Sequence, residues 1–125
     1  MAMDESTRRQ RGLARLAELN DEPGGEAFLK RMGDLGEYIV DFAFGDIHCR
    51  EGLSVEEREL IIVAVLTTLG GCEPQVQAHI RALRAIDVPY QKIEEVILQT
   101  LPYAGVPRAV NAMKVLRSEQ EKEAP

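Results

Sequence analysis

Apolar positions recur along this chain at spacings of three and four residues, the mark of helices with one buried face. Leu13, Leu16 and Ala17 define one side of a short helix from Arg8 to Leu19, which the cluster Asn20-Asp21-Glu22-Pro23-Gly24-Gly25 breaks. Phe28, Met32, Leu35, Ile39 and Phe42 predict a helix from Glu26 to Phe44, weakened locally by Gly33 and Gly36. Gly45 to Leu53 reads as a connecting loop. Ser54-Val55-Glu56-Glu57 then has the form of a capping box, with a hydroxyl at the helix entrance and a carboxylate three residues on. The helix it opens runs to Leu69. Its second half, Leu60 to Leu66, is apolar all round and needs cover on every side, part of which is expected from another subunit. Dense β-branched residues would also suit a strand here. The capping box before the run and Gly70-Gly71 after it favour the helix.

Cys72-Glu73-Pro74 is a further helix entrance, with proline in the first turn. Val76, Ile80, Leu83 and Ile86 form its inner stripe, and Val88-Pro89 interrupts it. Tyr90 to Leu101 follows, with Ile93, Val96, Ile97 and Thr100 inward, and Pro102 is expected to end or kink it. Tyr103 to Val106 reads as a turn. Pro107 opens a last helix carrying Val110, Met113 and Leu116, and Ser118 to Pro125 is expected to be a frayed, charged tail. With no paired strands, no hairpin dipeptide and no long repeat, the pattern predicts an all-α, single-domain bundle of about six helices. The expected layout is an N-terminal helical segment and linker over 1–25, a helical domain over 26–117 and the tail over 118–125.

Composition narrows the function classes. The 125 residues carry 21 acidic and 15 basic side chains, a formal charge of −6, which disfavours a general nucleic-acid binder. At 45% hydrophobic and 29% charged the chain has the make-up of a globular protein with a single core. Its N-terminus has no apolar run of the signal-peptide kind, and the most apolar stretch is too short to span a bilayer. These features predict a cytoplasmic protein with no membrane partner, in which Cys49 and Cys72 are free thiols.

Familiar chemistries are missing from the pattern: there is no glycine-rich phosphate loop, no cysteine or histidine pair at zinc spacing and no Gly-x-Ser-x-Gly elbow. One constellation remains. Cys72, Gln75 and His79 lie three and four residues apart, so one helix sets them on one side. An imidazole at the edge of an apolar stripe can donate or accept a proton, or it can be a hydrogen-bonded core or interface residue. Glu95 either orients His79 or faces solvent. Tyr103 either presents its hydroxyl to a pocket or packs as an aromatic. Arg50 and Arg58 either clamp a carboxylate or make surface salt bridges. Cys72, at a helix N-terminus, is either an activated thiol or a small buried hydrophobe.

Several segments together resemble the carboxymuconolactone decarboxylase family. They are Phe44-Gly45-Asp46-Ile47, Arg50 with Gly52-Leu53, Arg58 before the apolar helix, Gln75 to Leu83, and Ile93 to Gln99 followed by Tyr103-Ala104-Gly105-Val106-Pro107. The resemblance covers about Gly33 to Leu116. It implies an all-helical fold assembled as a homotrimer or homohexamer, with pockets near subunit contacts. It also implies a cofactor-free decarboxylation of a carboxylated lactone or related small acid, of the kind found in aromatic catabolism. His79 would then be the acid/base, Glu95 would orient the site, and Arg50 or Arg58, Gln75 and Tyr103 would position substrate. The wider superfamily includes alkylhydroperoxidase-D-like proteins, whose active helix carries Cys-x-x-Cys-x-x-x-His with a glutamate upstream. Cys72 and His79 match the ends of that motif, Gln75 replaces its second cysteine, and Glu59 is one residue off its spacing. An amide forms no disulfide, which disfavours a dithiol peroxidase and leaves a one-thiol activity through Cys72 as an alternative. A non-catalytic oligomeric binding module is a third reading. Cys72, Pro102, Arg108 and His48 depart from the decarboxylase pattern.

Overall fold

The computed structural model describes residues 5–19 and 24–125, so the predicted break at Asn20-Asp21-Glu22-Pro23 lies outside the described residues. Those residues form seven α-helices and one π-helical segment, with no strand among them. The all-α expectation holds. The chain divides into two compact units, Met1–Val55 and Glu56–Pro125.

The first unit contains α1 (Glu5–Leu19), α2 (Gly24–Arg31), α3 (Asp34–Tyr38) and a π-helical segment, Ile39–His48. The long helix expected over 26–44 is interrupted at Gly33, whose φ is +60°. Helical backbone then continues through the start of the expected loop as far as His48. α1 packs against the π segment at very short range. A Cβ on Gly12 would stand 2.1 Å from the Val40 carbonyl oxygen, and one on Gly45 would stand 2.4 Å from that of Arg8. Arginines of α1 surround this contact. Arg8 Nε donates to Asp46 at 2.8 Å, Arg9 pairs with Asp41, and Arg15 donates to His48 Nδ1 at 2.8 Å and to its carbonyl at 2.6 Å. The stripe predicted to face inward does not: Phe28, Leu35 and Phe42 are 55%, 58% and 54% exposed. Backbone approach and ion pairs hold this unit, so its apolar stripe is left outside.

The second unit contains α4 (Val55–Leu69), α5 (Glu73–Ala85), α6 (Tyr90–Ala104) and α7 (Val106–Glu123). α4 starts directly after Ser54, where the capping box placed it. The core joins Val63, Val76, Ile80, Leu83, Ile93, Ile97 and Leu116, with Ala109 and Ala112. α7 packs on both α5 and α6. The periodicity picked out Val76, Ile80 and Leu83 of α5 and Ile93, Ile97 and Thr100 of α6, all buried, while Ile86 falls just past the end of α5 and Ala82 is buried as well. On α7 the inner line is Ala109, Ala112 and Leu116, while Val110 is exposed. The two alanines let the helix lie close to its neighbours, and a stripe of small residues is weak in a pattern of large apolar ones.

Of the two expected breaks near the C-terminal helices, the end at Pro102 is not one: the residue, expected to end or kink its helix, lies inside α6. Proline there removes one donor near the C-terminus, where the last turn has few partners to lose. The expected frayed tail is helical to Glu123, with Glu119 only 6% exposed. Gln77 Nε2 donates to Glu119 at 2.7 Å, Arg81 Nε donates to it at 3.0 Å, and Tyr90 donates to its carbonyl at 3.3 Å. A buried carboxylate with these donors fixes the last turns.

Candidate active site

α4 and α5 each contribute one residue to the centre of the site. Glu59, Val63 and Thr67 lie four residues apart and form the buried line of α4. A carboxylate on that line is completely buried and must find a donor. The donor is His79 of α5, whose Nδ1 lies 2.6 Å from Glu59 Oε1. With Glu59 ionised the carboxylate only accepts, which puts the proton on Nδ1 and leaves Nε2 as the basic nitrogen. The His79 side chain is 22% exposed, so the imidazole bridges a buried anion and the surface. An imidazole held on one nitrogen by a carboxylate, with the other nitrogen as a proton carrier, is the usual build of a general acid/base.

The rest of α5 follows the predicted face. Cys72 is the N-cap, half-buried, and its Sγ donates to the Gly70 carbonyl at 3.4 Å. Pro74 sits in the first turn as expected, and Gln75 is exposed. Both Cys49 and Cys72 are free thiols.

The other candidates divide. The carboxylate on His79 Nδ1 is that of Glu59, which corrects the orienting role given to Glu95. Glu95 is exposed on α6, where it lines an open hollow with Pro89, Gln91 and Lys92 that His79 does not line. Tyr103, in the last turn of α6, is 88% exposed. Arg58 is half-buried on α4, beside Glu59 in the chain, and Arg50 is exposed just after the π segment of the first unit. Both arginines already have partners. Glu59 was open to prediction, because residues 59, 63 and 67 are spaced as a core line and an acidic residue on such a line needs an internal donor. Spacing against a peroxidase motif was the wrong ruler for it.

Among the described residues, no group of three His, Cys, Asp or Glu side chains is placed to hold a metal ion. No described helix is long and apolar enough to cross a membrane.

Comparison with known proteins adds sequence evidence to this geometry. The pattern of the carboxymuconolactone decarboxylase family matches residues 33–118. A 4-carboxymuconolactone decarboxylase of Acinetobacter baylyi is 31% identical over 115 residues, covering 89% of this chain and 85% of that protein. An uncharacterized 15.0 kDa protein encoded in the nqo9-nqo10 intergenic region of Paracoccus denitrificans is 28% identical over 86 residues, 68% of this chain and 64% of that protein.

Proposed function

Since the chain belongs to the carboxymuconolactone decarboxylase family, we propose that it is a cofactor-free decarboxylase of a carboxylated lactone or a closely related small acid, with His79 as its acid/base. The observation that carries this reading is the 2.6 Å bond between His79 Nδ1 and the fully buried Glu59. Loss of CO2 from such an acid breaks a carbon–carbon bond and leaves the electron pair in the conjugated lactone carbonyl. The resulting dienolate must then be protonated on carbon. His79 takes a proton from solvent at Nε2, the Glu59 carboxylate stabilises the imidazolium so formed, and Nε2 delivers that proton to the carbon, returning the neutral imidazole. Gln75, on the same face of α5, and Tyr103 position the substrate.

Self-association is part of the same proposal. Ile61, Val65 and Leu69 form an exposed apolar line on α4, at 48%, 50% and 61% exposure, and Phe28, Leu35 and Phe42 are exposed in the first unit. Apolar surface of this extent calls for cover, which supports the homotrimer or homohexamer that the family resemblance implies.

The test is turnover of 4-carboxymuconolactone by the intact protein. His79→Gln lowers kcat by about two orders of magnitude or more while melting temperature and assembly size stay unchanged. Glu59→Gln keeps the shape and lowers kcat by a smaller factor. Unchanged turnover in His79→Gln rejects the role. Consumption of peroxide that Cys72→Ser abolishes, with no lactone turnover, would select the thiol alternative instead.

A further inference from the structure

We propose that Arg108 is the residue that anchors the substrate carboxylate. The proposal rests on the decarboxylase reading and names a residue which that reading lacks.

The turn between α4 and α5 is Gly70-Gly71, and Gly70 has φ +71°. A Cβ built on Gly70 would stand 1.5 Å from Arg108 Nη1 and 2.6 Å from its Cζ. The guanidinium of Arg108 therefore lies across this turn, in space that any other residue type at position 70 would fill. The thiol of Cys72 shares the corner through its bond to the Gly70 carbonyl. Arg50 and Arg58, the two arginines singled out by sequence, are already engaged. The Arg108 side chain makes no hydrogen bond or ion pair with a described residue. It is an exposed, ever-charged planar fork at the end of a flexible side chain, with its donors unspent.

From this corner the polar face of α5 runs through Cys72 and Gln75 to His79. Seven residues of helix separate Cys72 from His79, about 10 Å along the axis. Helical side chains lean toward the N-terminus, which brings the imidazole back toward the turn. A rise of about 10 Å is of the order of the length of a small ring bearing a carboxylate. The track suits a compact acid gripped by its carboxylate at Arg108, with its reacting carbon facing His79.

The experiment uses the intact protein, with two readouts. One is the kinetics on 4-carboxymuconolactone. The other is the rate at which iodoacetamide alkylates Cys72, followed by peptide mass, with and without cis,cis-muconate as a dicarboxylate that has no lactone. Arg108→Gln is expected to raise KM about ten- to a hundredfold with a much smaller fall in kcat, and to abolish the protection of Cys72 by muconate. Arg108→Lys, which keeps the charge and loses the fork, recovers part of both. His79→Gln loses turnover and keeps the protection. Unchanged KM and unchanged protection in a folded Arg108→Gln protein overturn the anchor and leave the decarboxylase reading standing. Protection that depends on Arg108 in a wild-type protein without turnover supports the anchor and rejects that reading. Neither turnover nor protection in the wild type overturns both.

Discussion

At Glu119 two opposing influences act on one carboxyl group. Burial pushes its pKa up, while hydrogen bonds from Arg81 and Gln77 and the charges of Arg81 and Lys122 together outweigh burial and hold it below its ordinary 4.5. A carboxyl whose folded-state pKa is lowered contributes stability above its ordinary pKa, and loses that contribution as pH falls through the folded value. Glu119→Gln is therefore expected to cost about 1–2 kcal/mol at pH 7. Its gap to the wild type should narrow as pH falls below that ordinary value, as read from urea midpoints in a series from neutral to acid pH. A gap that stays constant with pH would assign the loss to packing alone. The comparison with Glu59 shows what the residue pattern can disclose. His79 was visible from its spacing with Cys72 and Gln75, but its partner was assigned to Glu95, an acid set among isoleucines and valines on α6. Periodicity counts apolar positions, and a buried acid is a gap in that count. Glu59 and Glu119 are both such gaps, and both are buried in the second unit.

Among elements, α4, α5 and α6 were legible because each carries its own punctuation: a capping box, an N-terminal proline, and large apolar residues facing one way. The stretch over 26–48 was not. Its phenylalanines and leucines repeat as a helical face should, yet the contact that fixes the π segment is made by Gly12 and Gly45, residues with no side chain to signal it. Gly45→Ala sets a methyl group against the Arg8 carbonyl and should push α1 off the π segment. Loss of about 1–3 kcal/mol is expected, the usual range for overpacking, with faster hydrogen exchange in residues 7–19 than in α5 to α7. Uniform exchange across both units would mean that α1 is not held there. Alanine 43, exposed on the same segment, is a control that accepts serine without effect.

For the whole molecule, the spacing of apolar residues set the class and a few segments set the family, and an all-α protein of the carboxymuconolactone decarboxylase family is what the chain is. What composition could not reach is the surface, because exposure depends on neighbours that the chain does not encode by itself. The proposed assembly makes a direct prediction. Val65→Glu places a charge in the middle of the exposed line on α4 and should shift light-scattering mass toward smaller species, while helical content by circular dichroism is unchanged. An unaltered mass would remove that face from the assembly. The family pattern stops at residue 118, and the helix does not. A gene trimmed to the matched boundaries would delete Glu119 and Glu123, the acceptors that α7 offers to Gln77, Arg81 and Arg84. The last few codons, which look dispensable on paper, belong inside any shortened version of this protein.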